Sequence, residues 1–147
     1  MNDKYDVLKL DNQICFPLYA CAKEIVKKYK PYLDEIDLTY TQYLTMMVMW
    51  EQKEINVKTL GEYLYLDSGT LTLVLKKLES KGYLSRKRSK DDERNLMLTI
   101  TEQGEELKEK ACHIPPMIGE GIDITTEEAV VLYRTLYKVL GKTPAER

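Results

Sequence analysis

The sequence predicts a mainly α-helical chain interrupted by one small β-hairpin. Three observations predict it. A helix over 68–81 repeats apolar residues at Leu71, Val74, Leu75 and Leu78, the i, i+3, i+4, i+7 spacing of one buried stripe. A short helix precedes it from 57 to 64, after a possible Asn56 cap. Two alternating runs with enough β-formers follow it, 83–89 and 95–101, joined by a charged turn. Helix, turn, helix and basic hairpin in that order make a winged helix-turn-helix.

The other elements follow from caps and breakers. A first helix is expected from Asp11 or Asn12, either of which can cap it, to Tyr29, where Lys30-Pro31 ends it. A short turn over 32–36 leads to a second long helix, 41–53, almost wholly apolar from Tyr43 to Trp50 and so the expected centre of the core. Asp67 or Ser68 caps the helix at 68–81, and Gly82 stops it. Thr101 opens a fifth helix that Pro115-Pro116 is expected to end. Thr125-Thr126-Glu127-Glu128 reads as a capping box for a last helix, closed by Gly141. The expectation is six helices and one hairpin, with no repeat and no linker. The expected division puts 57–101 in the winged helix-turn-helix lobe and 5–36 with 102–141 in dimerisation helices. Leu132, Leu136, Val139 and Leu140 stripe the last of these.

Composition narrows the chemistry. A length of 147 residues suits one domain. No apolar run approaches the roughly 20 residues that span a bilayer, and no signal peptide opens the chain. Three cysteines, an odd number without secretory context, read as reduced thiols in a cytoplasm. One histidine and no CxxC pair argue against a metal site, and nothing calls for a cofactor. Eleven tyrosines stand against one phenylalanine, a bias that suits an interface or a polar pocket.

The net charge of −2 conceals an uneven distribution. From Lys76 to Lys90, seven basic residues face one acid, Glu79, for a local charge of +6. The face opposite the apolar stripe carries Gly69, Leu73, Lys76 and Ser80, with Thr72 and Lys77 at its edges. Small and hydroxyl residues permit close approach to a groove, lysines meet phosphates or guanine edges, and Leu73 can touch a thymine methyl. Free amides at the helix start, beside Ser68 and Thr70, favour a phosphate. The hairpin adds Arg86, Lys87, Arg88 and Lys90, with Arg94 beyond its turn, as a wing for the backbone or minor groove. The expected partner is duplex DNA.

Cys15, Tyr19, Ala22, Val26 and Tyr29 are spaced 4, 3, 4, 3, the seam of a helix packed on another helix. Cys15 lies in the first turns, where unpaired amides and the helix dipole favour a thiolate. That thiolate is the species that attacks a peroxide O–O bond. Read alone, a cysteine there is a small core residue. Cys21, about 240° further around the helix, cannot bridge to Cys15 and is core or surface filler.

Leu66-Asp67-Ser68-Gly69-Thr70-Leu71-Thr72, Leu75-Lys76-Lys77-Leu78-Glu79 and Asp91-Asp92-Glu93-Arg94 resemble the winged helix-turn-helix of the MarR family. Asn12-Gln13-Ile14-Cys15-Phe16-Pro17-Leu18-Tyr19-Ala20 and Thr39-Tyr40-Thr41-Gln42-Tyr43-Leu44 resemble its organic hydroperoxide resistance branch. Leu73 departs from the pattern, since many relatives have proline there. The resemblance implies a homodimeric repressor, not an enzyme, that binds a pseudo-palindromic operator when reduced. An organic hydroperoxide, oxidising one cysteine, releases it. By the same likeness Tyr29 and Tyr40 hydrogen-bond that cysteine, Cys15, with Tyr19 nearby, while Asp92 and Arg94 brace the wing tip.

Fourteen residues of straight helix span about 21 Å, so Tyr29 cannot reach Cys15 of its own chain. It reaches the cysteine of an antiparallel partner. Some relatives use a second cysteine for an intersubunit disulfide, for which Cys112 is the candidate; otherwise a small cellular thiol completes the switch as a mixed disulfide. Two alternatives stand beside this reading. One is a MarR-type repressor that binds a small phenolic ligand without covalent chemistry. The other is a thiol peroxidase, disfavoured because tyrosines rather than arginine surround Cys15.

Overall fold

The computed structural model describes residues 3–88 and 96–143. Asp11 and Asn12 do not start a helix. The Asn12 amide donates to the Asp6 carbonyl at 2.7 Å, and the Gln13 amide to those of Val7 and Lys9 at 2.5 and 3.0 Å. These bonds tie two 3-10 turns, Asp6–Leu8 and Leu10–Asn12, ahead of α1 (Cys15–Glu35). Pro17 falls in the first turn of α1, where its missing N–H has no intrahelical acceptor to lose.

Pro31 lies inside α1, which runs six residues past the expected stop at Tyr29. A proline in a helix interior costs about 3 kcal/mol. Beyond it, however, Leu33 and Ile36 are buried in the core, each stabilising by about 1.5–3 kcal/mol. The end is closed with Asp37 in the left-handed region (φ 53°), its N–H on the Asp34 carbonyl and the Leu38 N–H on that of Leu33, at 3.2 and 3.0 Å. Burial outweighs the local breaker.

Next comes α2 (Tyr40–Gln52), started by a capping box the sequence reading passed over. The Gln42 N–H donates to Thr39 Oγ1 at 3.3 Å, and the Thr39 N–H to Gln42 Oε1 at 3.1 Å. Tyr43, Met46, Val48, Met49 and Trp50 are buried, so α2 is the centre of the core as expected. The indole N–H of Trp50 donates to the Gly104 carbonyl at 2.8 Å.

Asn56 caps α3 (Val57–Leu64), accepting from the Lys58 and Thr59 amides. After it, α4 (Ser68–Ser80) is capped by Asp67 and closed with Gly82 at φ 83°. The hairpin is β2 (Leu84–Arg88) and β3 (Leu96–Ile100), in register Leu84↔Ile100, Arg86↔Leu98, Arg88↔Leu96. It gains a strand: β1 (Glu54–Asn56) pairs antiparallel with β3, making a sheet of order β1-β3-β2.

Thr101 caps α5 (Glu102–Ala111). Pro115-Pro116, expected to end that helix, instead begins α6 (Ile114–Glu120), where a first turn tolerates proline. The break falls at Cys112 and His113, before the prolines. Thr125 and Glu128 form the expected capping box of α7 (Thr126–Leu140), closed at Gly141 (φ 76°). Among the described residues, no helix is long and apolar enough to cross a membrane.

Gly104 seats α5 against the hairpin root. A Cβ there would lie 2.4 Å from the Tyr83 carbonyl oxygen and 2.8 Å from Ile100 Cγ1. Gly104→Ala is expected to cost about 1–3 kcal/mol, read as a lower urea midpoint with unchanged m-value.

Candidate nucleic-acid interface and thiol site

The stripe predicted for α4 is buried, and its opposite face is open. Leu71, Val74, Leu75 and Leu78 enter the core, while Ser68, Gly69, Thr70, Thr72, Leu73, Lys76, Lys77 and Ser80 are all exposed. Leu73, 67% exposed, is an apolar side chain presented to solvent in the middle of a polar face. That suits contact with a base methyl rather than packing within the chain.

The start of α4 departs from expectation. The Thr70 amide is not free for a phosphate, because Asp67 accepts from its N–H at 2.8 Å and from the Thr70 hydroxyl at 3.0 Å. These bonds, the backbone one foremost, hold the Asp67 carboxyl below its usual range, so an anion already occupies the helix end. The Thr72 hydroxyl donates to the Ser68 carbonyl at 2.7 Å. Both hydroxyls thus spend their protons locally and turn only lone pairs outward.

On the wing, one of the seven basic residues is paired with the one acid. Arg86 forms a two-point pair with Glu79, Nε to Oε2 at 2.7 Å and Nη2 to Oε1 at 3.3 Å. The shared bonds hold the Glu79 carboxyl below its usual range and push the Arg86 guanidinium up. Arg86 therefore braces β2 against α4 rather than standing free for DNA. Lys87 and Arg88, further along β2, are exposed. Lys90, Asp92 and Arg94 lie outside the described residues.

Cys15, Cys21 and Cys112 are free and exposed. Cys15 is thus no core residue of this chain, and Cys21 belongs to the surface. The whole seam around Cys15 is uncovered: Tyr19 is 61% and Val26 40% exposed, with Ile14 and Phe16 also open. The Lys23 ammonium sits 5.1 Å from the centre of the Tyr19 ring. A second uncovered apolar face lies on α7, which buries no residue and exposes Val131, Leu132, Val139 and Leu140.

Tyr29 and Tyr40 come together at the other end of α1. Their rings lie 4.9 Å apart, and Tyr43 joins them at 5.8 Å from Tyr29 and 6.4 Å from Tyr40. Tyr43 was missed as a member of this cluster, although its spacing of three from Tyr40 puts both on one face of α2. Burial pushes all three phenols up, neighbouring tyrosines add to the effect at Tyr40 and Tyr43, and Tyr43 is pushed up to about 12. The phenols are thereby kept protonated, as donors. A folded phenol that stays neutral while its unfolded counterpart ionises near 10 favours unfolding at high pH. Stability is expected to be full below pH 10 and to fall as pH rises toward 12, with Tyr43→Phe flattening that loss. Urea midpoints across this range check it.

Beyond Tyr43 opens an apolar groove of about 410 Å³ lined by Met47, Trp50, Cys112 and Pro115. His113 turns away from it and meets the Tyr32 ring edge-on at 6.4 Å. The Tyr133 and Tyr137 rings meet on α7 at 4.8 Å, tilted by 55°.

Residues 27–111 match the family model of the transcriptional regulator SarA/Rot. The chain is 47% identical over 140 residues to the organic hydroperoxide resistance transcriptional regulator of Bacillus subtilis, covering 95% of each. It is 45% identical to the HTH-type transcriptional regulator SarZ of Staphylococcus saprophyticus, over 90% of this chain and 91% of that one. The solved structure of reduced AbfR bound to DNA superposes with a TM-score of 0.76 at 29% identity, covering 95% of this chain and 97% of that one. By these matches, and with a helix-turn-helix and hairpin at its centre, the chain belongs to the MarR-type winged helix-turn-helix transcriptional regulators, in the organic hydroperoxide resistance branch.

Proposed function

We propose that this regulator is a redox-sensing homodimeric repressor, released from a pseudo-palindromic operator when an organic hydroperoxide oxidises Cys15. The observation that carries the reading is a separation. Tyr29 and Tyr40 cluster at one end of α1, while Cys15 stands uncovered about 21 Å away near the other. An antiparallel second copy, laid along the exposed seams of α1 and α7, brings the tyrosines of one protomer to the thiol of the other. The sensor is then part of the dimer interface, and the interface sets the spacing of the two α4 helices. Half-sites one turn apart need roughly 34–36 Å between those helices, so a small rotation abolishes binding.

The chemistry balances with the partners named. The Cys15 thiolate attacks the terminal oxygen of ROOH; an S–O bond forms as the O–O bond breaks. Sulfur is oxidised to the sulfenic acid, and the peroxide is reduced to an alkoxide that takes a proton to become ROH. Protonated phenols of Tyr29 and Tyr40 donate hydrogen bonds to the thiolate and the departing oxygen. A small thiol then displaces the sulfenic oxygen as water and leaves a mixed disulfide, too bulky for the tyrosine contacts.

The groove beside Tyr43 favours one second reading, in which a phenolic ligand fills it without covalent change. The test uses a labelled duplex selected from a random library by the reduced protein. One equivalent of cumene hydroperoxide with free cysteine is expected to weaken binding at least about tenfold while a cysteine adduct appears at Cys15, and dithiothreitol reverses both. Undiminished binding by the fully adducted protein sinks the redox reading.

A further inference from the structure

Lys81, just past the end of α4, is neither on the reading face nor in the tyrosine cluster, yet it touches the elements that carry both. Its ammonium donates to the Asp37 carbonyl oxygen and, at 3.3 Å, to Gln42 Oε1, with Asp37 Oδ2 at 3.5 Å. Asp37 is the left-handed residue that closes α1, eight positions after Tyr29. Gln42 is the buried side chain that caps α2, two positions after Tyr40, and the same Oε1 accepts the Thr39 N–H. One cation therefore holds three helix ends: the last turn of α4, the close of α1 and the start of α2.

We propose that Lys81 is the positioning residue through which the tyrosine-bearing turn sets the orientation of the reading helix. The Glu79–Arg86 pair ties α4 to β2, but toward α1 and α2 its buried contact is otherwise aliphatic, through Leu71, Val74, Leu75 and Leu78. Aliphatic surfaces resist separation but tolerate rotation, being non-directional. Charge-assisted hydrogen bonds are directional and roughly twice as strong as neutral ones, so they fix an angle that packing leaves loose. A shift of Tyr29 and Tyr40 moves the Asp37 carbonyl and the Gln42 amide, and Lys81 carries that displacement to α4. The inference deepens the redox reading and rests on it for the identity of the signal, though not for the tether.

The test compares Lys81→Met, which keeps the aliphatic stem, with Lys81→Arg and with Gln42→Leu, which removes an acceptor at the far end. The readout is the ratio of duplex affinity before and after cumene hydroperoxide with free cysteine. Loss of fold lowers both affinities together; loss of transmission lowers their ratio. Lys81→Met and Gln42→Leu are each expected to shrink the wild-type ratio of about tenfold to less than about threefold, the double variant no further, with Lys81→Arg retaining it. A Lys81→Met ratio within twofold of wild type overturns the proposal and leaves the redox reading standing. If wild type holds DNA equally well oxidised and reduced, the redox reading falls instead. The tether is then decided by Trp50, the chain's single tryptophan, whose ring lies 6.4 Å from Tyr43. Duplex-induced change in its emission that is lost in Lys81→Met sustains the tether; equal change, or none in wild type, overturns it.

Discussion

Cys15→Ser is expected to bind the selected duplex as tightly as the reduced wild type and to keep binding it through an oxidant pulse that strips the wild type off. The exchange replaces one sulfur by oxygen at an exposed position, so the chain's own packing has little to lose. What it removes is the nucleophile, because a hydroxyl does not attack a peroxide at neutral pH. A tenfold weakening of the wild type corresponds to about 1.4 kcal/mol in operator binding, and the variant should show none of it. Cys21→Ser and Cys112→Ser serve as controls. If the wild type forms a Cys15–Cys112 disulfide in place of the adduct and Cys112→Ser restores the adduct, the groove thiol has taken the place of the small thiol. A Cys15→Ser protein that still lets go of DNA after oxidant would move the sensor elsewhere.

Charge reversal on the reading face carries the second large effect. Lys76→Glu places an anion where phosphates are expected, and like-charge juxtaposition costs several kcal/mol, so affinity should fall by on the order of a hundredfold. Lys76→Ala and Lys77→Ala should each weaken all duplexes about equally and reduce the slope of log affinity against log salt by about one. Arg86→Ala is expected to behave differently. Because Glu79 already holds that guanidinium at 2.7 Å, its loss should change the salt slope little and instead free the wing from α4. Equal slopes for Lys76→Ala and Arg86→Ala would show that both residues meet phosphate. Anisotropy titrations between about 50 and 200 mM salt separate the cases.

The parts of the fold that could be read in advance were those where local rules and burial agree. The α4 stripe has helical period and falls between an Asp67 cap and a left-handed Gly82, so every cue points the same way. Where the cues conflict, burial wins and the sequence misleads. Lys30-Pro31 reads as a stop, but Leu33 and Ile36 are worth more in the core than one lost hydrogen bond. Pro115-Pro116 reads as an end because proline breaks helices, although it also starts them, and only the turn at Cys112 and His113 decides. β1 is three residues long and exists because β3 offers it an edge. The reading face was legible as a surface but not as a set of free groups, because Asp67 and Glu79 claim partners at distances no spacing rule reveals. The proposed thiol site was legible only in pieces, since its four residues fall in two places on the single chain, Tyr29 with Tyr40 and Cys15 with Tyr19.

Those four residues give the account its sharpest test. Two tagged chains are co-expressed, one Cys15→Ser, the other Tyr29→Phe with Tyr40→Phe, and the mixed dimer is isolated by sequential affinity steps. It contains one Cys15, and only across the interface does that thiol face native tyrosines. Sulfenic acid at Cys15 is trapped with dimedone and followed by mass spectrometry while duplex release is read in parallel. Oxidation is expected at near the wild-type rate in the mixed dimer, and about tenfold slower in the dimer of two tyrosine-less chains, for want of hydrogen bonds to a charged group. A mixed dimer as slow as that tyrosine-less dimer would contradict the account, because the tyrosines would then not serve the partner's cysteine.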